Sequence, residues 1–267
     1  MAAIDTGTEK LLVDVDGGIA TVTFNQPEKH NALSVAILRA LPGVLHALQD
    51  DPAVGVIVLT GAGEKAFVSG ADISEFGDMR TSPEARAGYD RAMAEMGRAW
   101  RHLEKPIIAM IRGYCIGGGL ITAMQADIRI AAEGSQFGVP AARLGLGYGY
   151  GGVEALVALV GPAHAADILF SARRLTAGEA ERIGLVNRVM PVDDLRPAVM
   201  ALARAIKENA PLTVTACKVA ITQTQQPPER RDDARLAEMV EACFRSEDYR
   251  EGQAAFIAKR PPRFTGH

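Results

Sequence analysis

This chain of 267 residues lacks paired cysteines, a strong excess of charge and any long uninterrupted apolar run. Its three cysteines are isolated, which argues against a disulfide framework or a zinc site and fits a reducing compartment. A net charge of -3 provides no basic stripe for nucleic acid. No apolar run approaches the roughly 20 residues of a membrane span, and residues 1–5 show no signal-peptide pattern. We therefore expect a cytoplasmic protein that binds neither nucleic acid nor membrane.

Hydrophobic residues make up 48% of the chain, enough for a large core. Strand and helix patterns alternate through the first two-thirds, which predicts an α/β layered fold. The predicted strands are residues 11–15, 19–24, 56–59, 107–111 and 128–132, with a hairpin turn at 16–18. The predicted helices are residues 34–48, 81–103, 118–125, 163–170, 177–183, 193–209, 213–223, 230–244 and 246–259. Pro42 is expected to bend the first helix or move its boundary.

Two glycine-rich segments are the most informative part of the chain. Residues 65–73 read Lys-Ala-Phe-Val-Ser-Gly-Ala-Asp-Ile, and residues 113–119 read Gly-Tyr-Cys-Ile-Gly-Gly-Gly before a predicted helix. Glycine allows a backbone to approach a ligand closely, and a free N–H at a helix start carries partial positive charge. Such a donor suits the oxygen of a developing enolate. Taken alone, the glycines also fit a tight strand-to-helix turn that binds no ligand.

Together these segments resemble the crotonase family, the enoyl-CoA hydratases and isomerases. The resemblance extends along nearly the whole chain, through residues 30–33 (His-Asn-Ala-Leu), 105–109 (Lys-Pro-Ile-Ile-Ala), 136–140 (Gln-Phe-Gly-Val-Pro), 184–187 (Gly-Leu-Val-Asn) and 251–260. It implies a spiral of ββα turns, with a core at residues 1–200 and a C-terminal helical region at 201–267. Members of this family commonly form trimers, often paired as hexamers.

The resemblance also implies a CoA thioester as the ligand. Two backbone N–H groups, here those of Ser69 and Gly118, would form an oxyanion hole around the thioester carbonyl. CoA-binding positions carry over to Lys65, Ala66, Phe67, Gly70, Ala71, Asp72 and Ile73, and Phe256 and Lys259 match positions that touch the CoA of a neighbouring subunit. No metal or redox cofactor is implied, since CoA is part of the substrate.

The two glutamates that typical hydratases use are absent from the matching positions. Ile121 and Ala141 stand there, and neither side chain can titrate. One glutamate activates water and the other handles the proton at the α-carbon. The sequence therefore predicts a reaction other than the usual two-glutamate hydration.

The glycine-rich loop at residues 144–152 supplies the remaining candidates. Tyr148 matches a tyrosine of the family's methylmalonyl-CoA decarboxylases, and Tyr150 stands where dienoyl-CoA isomerases carry an aspartate. A phenol, with a reference pKa of about 10, is a good donor and a poor base at neutral pH. Glu154 is a tentative alternative base. Simple packing of the tyrosines and a helix-start role for Glu154 stay open, as do decarboxylation, other enolate chemistry and non-catalytic acyl-CoA binding.

Overall fold

The computed structural model of this protein describes residues 2–76 and 83–267. Its strands in chain order are β1 (Ala2–Ala3), β2 (Leu11–Asp16), β3 (Ile19–Phe24), β4 (Val56–Gly61), β5 (Ala66–Val68), β6 (Ile107–Ile111), β7 (Tyr114–Ile116), β8 (Ile128–Ala132), β9 (Gln136–Gly138), β10 (Leu175–Thr176) and β11 (Arg188–Met190). Its helices are α1 (Val35–Asp50), α2 (Ile73–Phe76), α3 (Pro83–His102), α4 (Gly118–Met124), α5 (Tyr150–Ser171), α6 (Ala177–Arg182), α7 (Val192–Lys207), α8 (Pro211–Thr224), α9 (Asp233–Arg245) and α10 (Glu247–Ile257).

The strands form two sheets that share the same turns of chain. The larger sheet has the order β1-β2-β3-β4-β6-β8-β11, and the smaller has the order β10-β9-β7-β5. Three successive turns each give one strand to the larger sheet, one to the smaller sheet and then a helix: β4-β5, β6-β7 and β8-β9. Within these turns, neighbouring strands of each sheet run parallel. This is the ββα spiral that the family resemblance implies.

The central strands β4 and β6 of the larger sheet are buried on both faces, which explains their continuous apolar sequences. In β4, Ile57 and Leu59 point into the main core, whereas Val56 and Val58 point to the opposite face. Helix α7 covers that opposite face with Leu195, Val199 and Ala203. The parallel core strands are thereby shielded from water on both sides.

Most predicted elements are present, with ends that differ by a few residues. The hairpin turn is confirmed, because β2 and β3 pair antiparallel around Gly17 and Gly18, both with positive φ. Ser34 caps α1 by accepting a hydrogen bond from the Ile37 N–H, at 3.4 Å. No helix boundary falls at Pro42, since α1 continues through it to Asp50, and a bend at Pro42 stays a prediction. Residues 81 and 82 of the helix predicted at 81–103 lie outside the described part.

Helix α5 begins thirteen residues before the predicted start at 163, counting from Tyr150. Its length and its mean hydropathy of 1.6 would suit a membrane span by composition alone. Core helices meet the same test, and this one is interrupted at Gly161 (φ 74°), next to Pro162. Its buried residues, among them Leu156 and Ile168, belong to the main core.

The proposed division of the chain at residue 200 falls inside α7, which packs on the larger sheet. The helices that follow α7 connect to the core through ionic contacts. Lys218 of α8 donates to the Asp127 carboxylate at 3.0 Å and to the Lys105 carbonyl oxygen at 2.6 Å. Burial lowers the pKa of this lysine, while Asp127 opposes the shift. The two-region division stays a prediction.

Candidate active site

The two glycine-rich segments meet at one edge of the smaller sheet. Strands β5, β7 and β9 lie side by side and parallel, so the residues that follow their carboxyl ends are neighbours. The Gly117 N–H donates to the Gly138 carbonyl oxygen at 2.8 Å, and Gly117 lies beside Pro140 and Gly70. Ligands commonly bind outside the carboxyl ends of strands in α/β proteins. This edge is therefore the candidate site.

Close backbone contacts account for the glycines at Gly113 and Gly119. A Cβ at Gly119 would lie 2.0 Å from the Val68 carbonyl oxygen, and one at Gly113 would lie 2.1 Å from that of Lys65. Real Cβ atoms essentially never come within 3.0 Å of another heavy atom. These glycines let the second segment lie directly against β5.

Gly118 lies beside the Gly70–Ala71 peptide of the first segment. A Cβ built on Gly118 would lie 3.7 Å from the Ala71 nitrogen, 3.7 Å from the Gly70 carbonyl carbon and 3.2 Å from Leu33 Cδ1. Gly118 is the first residue of α4, where an N–H has no partner within the helix. Among the described residues, neither its N–H nor that of Ala71 donates to another protein group. Two neighbouring backbone donors are thus without a protein acceptor in the described part of the chain.

The Ser69 N–H, which the sequence predicted as an oxyanion-hole donor, already has a protein acceptor. It donates to the carbonyl oxygen of His30 at 3.1 Å. A donor already used in this way would have to lose a backbone hydrogen bond to bind a ligand oxygen. Ala71 lies two positions later, after β5 has ended and the backbone has turned.

A short bridge fixes the backbone on both sides of Ala71. The Leu33 N–H donates to the Gly70 carbonyl oxygen at 2.7 Å, and the Asp72 N–H donates to the Leu33 carbonyl oxygen at 2.9 Å. Gly70 has φ 120°, a conformation that side chains other than glycine's rarely allow. The Ala71 peptide is held in place while its own N–H stays free of the bridge.

Asn31 secures the preceding loop and gives the Asn-Ala-Leu motif a structural role. Its side chain is fully buried. Its Nδ2 donates to the carbonyl oxygens of Ala62 and Ala66, at 2.9 and 2.7 Å, and its Oδ1 accepts from the Gln26 N–H at 2.9 Å. The sequence pattern contained Asn31, but only the structure shows that it joins the loop to the segment leading into β5.

The positions matched to the missing glutamates are apolar and close to this edge. Ile121 is one turn after Gly118 in α4 and packs against the main core. Ala141 is 7% exposed and belongs to the short 3-10 helix Pro140–Leu144 that follows β9. Neither residue can donate or accept a proton.

Tyr148 is the one buried hydroxyl in the described residues with no hydrogen-bond partner. Its ring packs against the main core and lies against Gly152, where a Cβ would be 2.8 Å from the ring. Burial raises the pKa of the Tyr148 phenol. The group therefore stays protonated at neutral pH and is a donor without a partner.

The chain has extensive similarity to known proteins. The profile described as "Enoyl-CoA hydratase/isomerase" matches residues 14–267. This chain belongs to the enoyl-CoA hydratase/isomerase family. Similar proteins include the short-chain-enoyl-CoA hydratase of Clostridium acetobutylicum, 38% identical over 250 residues (94% of this chain, 95% of the relative), and the crotonyl-CoA hydratase of Syntrophomonas wolfei, 36% identical over 256 residues (96% and 98%).

The fold agrees with solved structures of this family, within the crotonase superfamily. The crystal structure of an enoyl-CoA hydratase/carnithine racemase from Magnetospirillum magneticum matches with a TM-score of 0.90. It is 36% identical, and the match covers 97% of each chain. The α/β crotonase fold predicted from sequence is thus confirmed.

Two of the CoA contacts expected from the hydratase/isomerase family are not available as side chains. Ala66 and Phe67 point into the core from β5, with 3% and 0% exposure. The Phe67 ring packs edge-on against Phe24, with centroids 5.8 Å apart. Their side chains are part of the core, so only their backbone could face a ligand.

The other first-segment candidates are distributed differently. Lys65 and Ala71 are exposed. Gly70 is buried where the first segment faces the second. Asp72 is 6% exposed and pairs with Lys29. The Ile73 backbone begins α2, and its side chain lies outside the described part.

The remaining candidates of this family member are exposed. Tyr150, the first residue of α5, is 78% exposed, and Glu154 lies on the exposed surface of the same helix. Phe256 in α10 is 85% exposed. Lys259 follows that helix with φ 50°. A role for Phe256 and Lys259 at a neighbouring subunit's ligand stays a prediction.

Proposed function

We propose that this protein binds an acyl-CoA thioester and stabilises its enolate between the N–H groups of Ala71 and Gly118. The observation that supports this most directly is the pair of neighbouring backbone donors at the edge of the smaller sheet. Ala71 takes the place that the sequence prediction gave to Ser69. The ligand class follows from membership of the enoyl-CoA hydratase/isomerase family.

Two fixed donors act on the charge that develops when a proton or a carboxylate leaves the α-carbon. The thioester oxygen becomes an oxyanion, and each preorganised donor of this kind contributes about 10²–10³ in rate in enzymes where one has been removed. The Gly118 N–H adds the partial positive charge of a helix start. The protein thus lowers the energy of the enolate without using a side chain.

We propose that the reaction completed by this enolate is not the two-glutamate hydration. Ile121 and Ala141 carry no acid or base, and both contribute only apolar side chains near the site. A carboxylate or hydroxide ion gains little from such surroundings. Chemistry that needs only an oxyanion hole and one proton donor fits this lining better than water activation does.

A specific observation favours Tyr148 as that donor. Its buried hydroxyl has no partner among the described residues, and leaving a buried donor unpaired costs about 1–3 kcal/mol. A substrate carboxylate or an enolate carbon would use this donor. Decarboxylation of a malonyl-type thioester, with Tyr148 orienting the carboxylate or returning the proton, is therefore the second candidate. Tyr150 and Glu154 are proposed only as surface contacts of the acyl end.

The oxyanion hole can be tested without knowing the reaction. A conjugated probe, hexa-2,4-dienoyl-CoA, should absorb at longer wavelength when two donors polarise its carbonyl. We expect binding with a red shift for the wild-type protein. Binding with no shift, or no binding at all, would refute the proposed site.

Turnover then separates the reactions. Crotonyl-CoA hydration, malonyl- and methylmalonyl-CoA decarboxylation and double-bond migration should be measured on the same preparation. Rapid hydration of crotonyl-CoA would refute the proposal of non-standard chemistry. Decarboxylation that falls at least tenfold in Tyr148→Phe, with an unchanged dienoyl-CoA shift, would support the second candidate. A red shift without turnover of any substrate would identify a non-catalytic acyl-CoA-binding protein.

We also propose assembly and location from the same family membership. A homotrimer or hexamer in the cytoplasm, formed with the C-terminal helices, fits the exposed Phe256 and Ile257 of α10, at 85% and 82%. No metal or redox cofactor is part of the proposal. Light scattering of the purified protein measures the subunit number.

A further inference from the structure

One ion pair involves the residue that follows the proposed oxyanion-hole donor Ala71. Lys29 Nζ is 2.6 Å from Asp72 Oδ2. The Asp72 side chain is 7% exposed and that of Lys29 is 46% exposed, so a buried carboxylate meets a half-exposed ammonium. Asp72 is the residue immediately after the proposed donor Ala71.

Asp72 uses its remaining lone pairs on its own loop. Its Oδ1 accepts from the Ser74 N–H at 3.1 Å and from the Ser74 hydroxyl at 2.6 Å. These bonds turn the chain from the first glycine segment into α2. Without the ammonium, the carboxylate would be a buried charge with only neutral donors, a costly state.

Lys29 connects this carboxylate to the loop that supports the other side of Ala71. Lys29 belongs to the short 3-10 helix Pro27–Lys29, and His30, the next residue, accepts the Ser69 N–H. The Ser69 hydroxyl also donates to the Lys29 carbonyl oxygen at 3.4 Å. The loop before α1 therefore holds residues on both sides of the donor peptide.

We infer that Lys29 is a positioning residue, which fixes the direction of the Ala71 N–H through its ion pair with Asp72. The backbone bridge to Leu33 sets where the peptide lies, and the Lys29–Asp72 pair prevents the following turn from rotating. This inference depends on the proposed oxyanion hole, because it assigns Lys29 to that hole and not to the CoA phosphates. Neither side chain contacts the reacting atoms, so neither is a catalytic residue.

Lys10 provides a matched control. It is also a partly exposed lysine, 37% accessible, and it pairs at 3.4 Å with Glu75 of α2, the short helix that follows Asp72. Glu75 holds the start of α1 by accepting the Val35 N–H at 2.8 Å. A variant at Lys10 thus removes a surface ion pair from this region and leaves Asp72 untouched.

The test compares Lys29→Met, Lys29→Arg, Asp72→Asn and Lys10→Met in the full chain, with hexa-2,4-dienoyl-CoA and with free CoA as probes. We expect Lys29→Met and Asp72→Asn to lose at least half of the red shift and to bind the dienoyl thioester about tenfold more weakly, the scale of a small misplacement of a reacting group. In Lys29→Met, the affinity for free CoA should stay within about twofold of wild type, since the lost contact concerns only the carbonyl. Lys29→Arg should restore most of the shift, and Lys10→Met should keep all of it.

The possible failures are distinguishable. A wild-type protein that binds the probe without a shift removes the oxyanion hole, and this inference with it. A full shift in folded Lys29→Met overturns the positioning role alone, as does an equal loss of affinity for free CoA and for the thioester. If Asp72→Asn does not fold, the contrast between Met and Arg at Lys29 decides the question.

Discussion

Adjacent glycines at the start of α4 should respond oppositely to the same substitution. Gly118→Ala is predicted to disable the site and leave the fold intact, whereas Gly119→Ala is predicted to damage the fold. The prediction follows from what a methyl group would contact at each position. At Gly118 the nearest atom is Leu33 Cδ1 at 3.2 Å, the end of a flexible side chain. At Gly119 the nearest atoms are the carbonyl oxygen and carbon of Val68, at 2.0 and 2.7 Å.

These distances set the expected magnitudes. At Gly118, a shift of a few tenths of an ångström in the leucine relieves the contact, and alanine is favoured over glycine in a helix by up to about 1 kcal/mol. The free energy of unfolding should therefore change by less than about 1 kcal/mol. At Gly119 the backbone itself must move by more than 1 Å to reach ordinary contact, which starts near 3.4 Å. Overpacking of this kind costs about 1–3 kcal/mol or more.

The functional effect of Gly118→Ala comes from the same methyl group. It would stand 3.7 Å from the Ala71 nitrogen, and an oxygen that accepts from this nitrogen must lie about 2.9 Å from it. The methyl therefore narrows the space between the two donors. We expect the dienoyl-CoA red shift to disappear and turnover of any substrate found to fall by about 10²–10³, as when an oxyanion donor is lost.

Urea unfolding and the absorbance shift measure the two effects separately. Gly43→Ala is the control, since Gly43 is exposed within α1 and a Cβ there would contact nothing within 4 Å. That variant should be more stable by about 0.5–1 kcal/mol, with a full red shift. A Gly118→Ala protein with a normal shift would refute the placement of the oxyanion hole. A Gly119→Ala protein as stable as wild type would refute the packing argument.

Three further results are expected. Asn31→Ala should destabilise the protein by about 2–4 kcal/mol in urea unfolding, because it removes the side-chain partner of three backbone groups, two of them in buried hydrogen bonds; a change below 1 kcal/mol would contradict this. Arg129→Met should cost a similar amount, about 2–4 kcal/mol, since the buried guanidinium donates to the carbonyl oxygens of Ala126 and Leu185. The hydrogen bond from Arg260 lowers the pKa of Glu251 to about 2 from its ordinary 4.5, so its stabilisation of the C-terminal segment is complete above pH 4.5 and is lost as pH falls toward 2. The hydrogen-exchange protection factors of the amides in residues 260–267, which divide out the intrinsic dependence of exchange on pH, should fall over that range, and protection that is unchanged down to pH 2 would contradict the assignment.

Local signals explain why much of the larger sheet was predictable. Its strands β2, β3, β4, β6 and β8 are five or six residues long and strongly apolar, and they end at glycine, proline or polar turns. Helix α1 was recognisable from Ser34 and its apolar spacing. At Pro42 this helix continues despite the missing N–H.

The smaller sheet was not predicted as a sheet, although it positions the candidate site. Its strands are only two or three residues long, too short for a periodic pattern to emerge. They exist because consecutive turns of the spiral place them side by side. The choice between Ser69 and Ala71 as a free donor depended on the same tertiary contacts, since the Ser69 partner is the distant His30.

The amino-acid sequence alone determined the family, the α/β class and the two glycine segments. The glycines could be recognised without coordinates, because a close approach between two backbone segments requires glycine. It also determined that Ile121 and Ala141 cannot transfer protons. The tertiary structure decided which backbone amides have no protein acceptor and that Lys29 pairs with Asp72, next to the Ala71 amide. It also decided that the Tyr148 hydroxyl is buried without a partner in the described part of the chain. Hydrogen bonding and burial depend on residues far apart in the chain, and only the folded arrangement brings them together.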